Sequence, residues 1–140
     1  MLTQYHIEIM LASLGGRFSP RAMSVIIKAN VGQDRLAGQV GHDEFHFDNN
    51  AFEKTYAYIE EQRALVVSSL KSGDANSAWQ AFGRFLHSAQ DFYAHSNYIT
   101  LWVNRFEGQT LPPPPEVDPM DPILIASPDL RSGKVYLPLD

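Results

Sequence analysis

Apolar residues recur every three or four positions through most of the first hundred residues of this chain. Positions with this spacing share one face of an α-helix, so the pattern predicts amphipathic helices. The helical pattern is predicted to extend to Val103, with a kink or a break at Ser96-Asn97. The four long patterns run from Thr3 to about Leu14, from Pro20 to about Asp34, from Asn50 to about Lys71, and from Ala75 to His95.

Several positions define these helices in more detail. Thr3 and Asn50 are the predicted N-terminal caps of the first and third helices. Leu11 and Leu70 are predicted to face the core because they continue the apolar stripes of those helices. Gly83 lies inside the fourth helix, where glycine costs about 1 kcal/mol relative to alanine. It therefore indicates a close approach by another helix.

The composition changes after Gly108, because eight of the nine prolines follow it. No further long helix is expected there, and Pro112 to Pro115 predict a local polyproline II run. Ile123–Ile125 and Val135–Leu137 are more apolar than a free linker needs, so this tail is predicted to pack on the helices or on a partner subunit. The predicted fold is an all-α bundle of four to five helices with a proline-rich, mostly irregular C-terminal tail, divided into residues 1–108 and 109–140.

The composition restricts the chemistry. The chain has 140 residues, enough for one domain, and its formal net charge is −5. No basic run is longer than two residues, which argues against binding to duplex nucleic acid. Because there is no cysteine, any metal ligands must be histidine, aspartate or glutamate. These ligands favour hard or borderline ions, zinc above all.

The chain is expected to be cytoplasmic. The apolar run from Ile7 to Leu14 is interrupted by Glu8 and is not preceded by lysine or arginine, so it is a poor signal peptide. No apolar segment approaches the roughly 20 residues needed to span a bilayer. No transmembrane segment is therefore predicted.

The fourth helix ends with three metal-capable side chains, one turn apart: His87, Asp91 and His95. Residues four apart share a helix face, so the three form one row. The outer two are about 12 Å apart along the axis, too far for both to bind one ion at about 2 Å. We therefore expect Asp91 to be shared by two neighbouring ions. The alternative is a buried polar row hydrogen-bonded to another helix, but a buried carboxylate costs several kcal/mol unless it is compensated.

The loop between the second and third helices adds candidates. If it is extended, His42, Glu44 and His46 share one side, and if it is helical, His42 and His46 can bind together. Both arrangements remain open. Asp34, at the end of the second helix, is either an oxygen ligand or a solvated acid.

These residues resemble a known family. The pattern His46-Phe-Asp48, then a long helix, then Leu86-His87-x-x-Gln90-Asp91 and a third histidine resembles zinc-dependent phospholipases C and single-strand-specific zinc nucleases. The longer motif from Phe82 to Tyr98 is similar to fungal heterokaryon-incompatibility C proteins and their bacterial relatives. The resemblance covers roughly Met1 to Val103.

The resemblance implies the ligands of each ion. The residues that the resemblance places on the first zinc are Asp34, His46, His87 and Asp91. A second zinc would use Asp91, His6 and the amino group of Met1, and a third would begin at His95. No histidine follows His95 and the only nearby acid is Glu107, so two ions are expected rather than three unless acids of the 42–48 loop complete the third site.

Two functions follow from this resemblance. The first is a zinc-dependent, phospholipase C-like phosphodiester hydrolase, in which metal-activated water attacks phosphorus and Asp34 is a ligand or general base. Its substrate would be a small phosphodiester or a phospholipid headgroup. The alternative is a catalytically inactive, metal-stabilised scaffold or protein-interaction domain, whose ions have no open position. A helical domain without metal is the third hypothesis.

Overall fold

The computed structural model describes residues 1–106, 110 and 120–134. Within these residues it contains eight α-helices and no strand, apart from an isolated antiparallel bridge between Ser96 and Ser132. The predicted all-α bundle with a less regular C-terminal region is therefore confirmed. The helices are α1 (Thr3–Leu14), α2 (Pro20–Val31), α3 (Leu36–Gln39), α4 (Asp43–His46), α5 (Phe52–Lys71), α6 (Ala75–His95), α7 (Tyr98–Asn104) and α8 (Pro122–Ile125).

Helix α6 is the centre of the bundle, because α2 and α5 both pack along it. Gly83 permits the α2 contact. A β-carbon built at this position would lie 2.3 Å from the carbonyl oxygen of Ile26 and 2.9 Å from the β-carbon of Ala29. The close helix approach predicted at Gly83 is therefore confirmed.

Two apolar clusters hold the helices. One contains Met10, Met23 and Ile26, where α1 and α2 meet the first half of α6. The other surrounds the end of α6 and includes residues after α8, so it joins the C-terminal segment to the bundle. Its buried members are Phe47, Phe92, Tyr98, Trp102, Leu124 and Leu130.

Helix α6 stops at His95, and α7 begins at Tyr98, which confirms the predicted break. Ser96 has extended backbone, with φ −106° and ψ 163°, and pairs with the C-terminal segment. The turn leaves His95 at the end of α6, close to residues that follow α8. The break therefore places His95, a predicted metal ligand, beside the C-terminal segment.

The connection from α4 to α5 contains three non-glycine residues with left-handed backbone: Phe47, Asn49 and Asn50 have φ values of 58°, 51° and 60°. This conformation is unfavourable for a bulky residue such as phenylalanine. Phe47 is only 1% exposed and packs against Phe92, so the apolar cluster holds it there. The turn lets the flanking His46 and Asp48 both point into the protein, where they are 3% and 2% exposed.

Four details of the predicted helices are wrong. Leu11 and Leu70 are 51% and 57% exposed. The buried residues of α1 are His6 and Met10, and those of α5 are Thr55 and Gln62. Thr3 begins α1 without capping it, since the residue before the helix is Leu2. Asn50 does not cap α5, because its side chain accepts a hydrogen bond from Ser132 instead.

The predicted features at Glu107, Pro112–Pro115 and Val135–Leu137 lie outside the described residues. In the part of the chain that the structure describes, no helix combines the length and apolar character needed to cross a membrane.

We predict that Gly83→Ala destabilises the protein. The extra methyl group must push α2 away from α6, and such overpacking costs typically 1–3 kcal/mol, more than the gain in helix propensity of about 1 kcal/mol. Urea unfolding should show a lower midpoint for this variant. Gly32→Ala is the matched control, because Gly32 has ordinary helical backbone and no atom within 4 Å of an added β-carbon. Equal midpoints for the two variants would contradict the close-contact interpretation.

Candidate metal centre

The carboxylate of Asp91 is at the centre of a cluster of buried ionisable groups, and Asp91 itself is 0% exposed. Its Oδ2 atom lies 2.9 Å from His46 Nδ1 and 3.0 Å from His87 Nε2. Its Oδ1 atom lies 3.4 Å from His6 Nε2 and 3.6 Å from His95 Nε2. The two oxygens therefore face two different groups of side chains.

The first group has the dimensions of a tetrahedral metal site. His46 Nδ1 and His87 Nε2 are 3.0 Å apart, and Asp34 Oδ1 lies 3.9 Å and 3.6 Å from these two nitrogens. Four atoms at about 2.0–2.1 Å from a tetrahedral zinc ion are about 3.3 Å from one another. With Asp91 Oδ2, these atoms form a four-donor set of the right size.

The second group lies on the other side of Asp91. The α-amino group of Met1, the first residue of the chain as given, is 3.0 Å from both Asp91 Oδ1 and His95 Nε2. His6 Nε2 faces the same oxygen and is also 3.7 Å from Asp34 Oδ2. His95 therefore faces the same carboxylate oxygen as His6 and Met1.

Three of the four histidine rings are oriented by an acceptor on the side away from Asp91. His6 Nδ1 is 2.6 Å from Gln90 Oε1, His46 Nε2 is 3.3 Å from the carbonyl oxygen of Gly38, and His95 Nδ1 is 2.7 Å from Asp48 Oδ1. Each acceptor requires the outer nitrogen to carry the hydrogen. In a neutral ring the inner nitrogen then presents a lone pair to the cluster, as in histidine–metal sites.

Gln90 is itself fixed by neighbours. Its Oε1 also accepts from Asn30 Nδ2 at 3.0 Å, while its Nε2 donates to the carbonyl oxygen of His6 at 3.3 Å. These contacts settle which end of the amide faces His6. Gln90 thereby links α1, α2 and α6 behind the cluster.

Buried polar atoms in the cluster lack hydrogen-bond partners. Among the described residues, these include His6 Nε2 and Asp34 Oδ2, and also His87 Nδ1, the nitrogen of that ring that does not face Asp91. The first two face each other across the cluster at 3.7 Å. Unpaired buried polar atoms are costly and rare, so atoms that converge in this way indicate room for a further polar group. His6, Asp34, His87 and Asp91 each offer one ligand atom, all within 4.8 Å of one another.

The protonation of Asp91 and His87 suits a cation. Burial opposes ionisation of Asp91, but the adjacent imidazoles of His46, His6 and His87 outweigh it and hold the pKa of Asp91 well below its usual range. Burial lowers the pKa of His87, and Asp91 offsets this only in part. For His46 the balance is reversed: burial lowers its pKa, but the carboxylates of Asp91, Asp34 and Asp48 together outweigh burial and the pKa is raised. Asp91 is therefore a carboxylate and His87 a neutral imidazole, both ligand-competent forms.

The predicted candidates His42 and Glu44 are placed outside this cluster. His42 lies just before α4, and its Nδ1 is 2.8 Å from Glu44 Oε1. Their side chains are 43% and 28% exposed, and the His42 ring stacks on Phe45. The short helix at 43–46 directs only His46 toward Asp91.

Two residues of the cluster were not assigned roles from the sequence: Gly38 and Gln90. Asp48 was one of the acids of the 42–48 loop considered for a third site at His95, and it lies behind the His95 ring, at Nδ1. Gln90 belongs to the quoted motif, but it contacts His6, which is distant in sequence, so its position in the motif does not reveal its partner. Gly38 contributes a backbone oxygen, which no sequence pattern reveals.

Comparisons with known proteins place the chain in a different family from the one predicted. Residues 5–118 match the family described as VWA7 N-terminal domain. Von Willebrand factor A domain-containing protein 7 of Rattus norvegicus is 30% identical over 98 residues, which are 67% of this chain and 11% of that protein. The Homo sapiens protein of the same name is 31% identical over 80 residues, 57% of this chain and 9% of that protein. No solved structure matches.

These findings correct two predictions. The assignment to the zinc-dependent phospholipase C and single-strand nuclease superfamily, including its heterokaryon-incompatibility C branch, is wrong, because the matching family and the named relatives are of the VWA7 type. The predicted phospholipase C-like hydrolase is wrong for the same reason, since neither the family nor the relatives support it. The match spans about a tenth of the length of these relatives. The chain belongs to the VWA7 N-terminal domain family.

Proposed function

We propose that this domain is a non-catalytic scaffold whose helices are fixed by two zinc ions that share Asp91. The observation that carries the proposal is the division of the Asp91 carboxylate, with Oδ2 facing His46 and His87 and Oδ1 facing His6 and His95. A cation beside each oxygen compensates a carboxylate that is otherwise buried at high cost.

The first ion would be held by His46, His87, Asp34 and Asp91 Oδ2. These four donors complete a tetrahedral sphere and leave no position for water or substrate. Closed spheres of protein ligands are typical of structural zinc, whereas catalytic zinc keeps one position open. The donor set thus supports a structural role.

The second ion would be held by His6, His95 and Asp91 Oδ1. The amino nitrogen of Met1 lies 3.0 Å from Asp91 Oδ1 and 3.0 Å from His95 Nε2. Because the chain has no cysteine, it offers zinc nitrogen and carboxylate donors and no thiolate. Zinc binds well to such donors.

The ions would join parts of the chain that are distant in sequence. His6 is on α1, Asp34 follows α2, His46 ends α4, and His87, Asp91 and His95 are on α6. Metal that binds only the folded arrangement adds its binding free energy to stability. A domain fixed in this way presents a rigid surface, and we propose that its partner is another part of a longer protein or a second subunit.

The proposal predicts that Asp91→Ala removes more than one equivalent of zinc. Protein expressed with zinc and purified without added metal should contain two equivalents by elemental analysis, and the variant should contain less than one, because both ions lose a ligand. Asp91→Asn tests the same point with a side chain of nearly equal volume. His42→Ala is the control and should keep both ions, since His42 is outside the cluster. Loss of a single equivalent from both Asp91 variants would contradict a shared carboxylate.

Zinc affinity should also decrease as the pH is lowered. Protons compete with metal for imidazole nitrogens, and burial lowers the pKa of His46 less than the nearby carboxylates, Asp91 foremost, raise it, so competition there begins at a higher pH than for an ordinary histidine. Competition titrations with a chromophoric chelator should show the loss between about pH 7.5 and 5.5. An affinity that stays constant across this interval would show that the ligands are not imidazoles.

A further inference from the structure

The segment 127–134, which we call the strap, crosses the end of α6 and the turn after α4. It contacts α6 through its backbone: the N–H of Gly133 donates to the carbonyl oxygen of His95 at 3.0 Å. Asn97 and Arg131 pair reciprocally. The N–H of Asn97 donates to the Arg131 carbonyl at 3.0 Å, and the N–H of Arg131 donates to Asn97 Oδ1 at 2.8 Å.

The strap also holds the turn that carries Asp48. The N–H of Ser132 donates to Asn50 Oδ1 at 2.7 Å, and the N–H of Asn50 donates to Ser132 Oγ at 3.0 Å. Asn50 has left-handed backbone and lies two residues after Asp48. The strap is therefore bonded to both sides of the 2.7 Å contact between His95 Nδ1 and Asp48 Oδ1.

Lys134 ends the described part of the strap beside the same carboxylate. Its Nζ lies 3.7 Å from Asp48 Oδ2 and 3.8 Å from Asp43 Oδ1, and it donates to the carbonyl oxygen of Gln39 at 3.0 Å. Asp48 is 2% exposed, so a cation beside its second oxygen offsets part of the cost of its burial. The first oxygen remains on His95.

We propose that the strap is a positioning element for the ion at His95, so that docking of the strap and binding of that ion strengthen each other. Asp48 holds the ring of His95 with Nε2 toward Asp91, and the strap holds Asp48 and His95 together. Partners of this kind behind a ligand histidine typically contribute 10–100-fold to metal affinity. Coupling between two binding events is reciprocal, so the ion must stabilise the docked strap by the same factor. This inference rests on the second ion proposed above.

Asn50→Gly and Asn97→Ala test the first half of the coupling. Glycine retains the left-handed backbone at position 50 and removes only the side chain that Ser132 contacts. Each variant should bind the zinc ion at His95 about tenfold less tightly in a chelator competition, while affinity for the ion at His46 and His87 stays unchanged. Asn76→Ala is the control, because Asn76 is exposed at the opposite end of α6. Asp48→Ala should weaken binding of the ion at His95 at least as much as either asparagine variant.

The second half is a protease experiment on the full chain. Trypsin cleavage after Arg131, followed by mass spectrometry, should be about tenfold slower with two equivalents of zinc than without metal, as reciprocity requires. Zinc should give little of this protection to His95→Ala, which retains the ion at His46 and His87. Two bound ions with unchanged cleavage, or unchanged affinity in both asparagine variants, would overturn the coupling alone. Wild-type protein that binds fewer than two ions would overturn the proposed function and this inference together.

Discussion

A buried carboxylate is the constraint on which the rest of this structure depends. Asp91 is fully enclosed, and an enclosed charge without compensation costs several kcal/mol. The surrounding structure supplies that compensation by bringing an imidazole from α1, one from α4 and two from α6 to its oxygens. Gln90, Gly38 and Asp48 then orient three of those rings, so the cluster organises residues well beyond its own ligands.

Much of the bundle could be predicted from the sequence because its signals are local. Apolar spacing located the long helices, Gly83 indicated the contact with α2, and Ser96-Asn97 indicated the end of α6. The α4–α5 connection could not be predicted, because its left-handed residues are phenylalanine and asparagine, held by tertiary contacts. Likewise, Asn50 was predicted to cap a helix, but its side chain instead accepts a hydrogen bond from the N–H of Ser132, eighty-two positions later.

The structure brings together most of the residues that the sequence singled out, although the predicted family is wrong. Residues three or four apart share a helix face, so the spacing of His87, Asp91 and His95 follows from local geometry and does not identify an ancestor. The match to the VWA7 N-terminal domain extends over residues 5–118 and draws on far more positions. The tail, which composition suggested was separate, contributes residues of the strap to the surroundings of the site.

The account is tested most directly by a crystal structure of zinc-loaded protein with diffraction measured on both sides of the zinc absorption edge. Two anomalous peaks are predicted, one beside Oδ2 of Asp91 among Asp34, His46 and His87, and one beside Oδ1 between His6 and His95. A single peak, or no peak at Asp91 in protein that elemental analysis shows to contain zinc, would contradict the shared carboxylate on which the account is built.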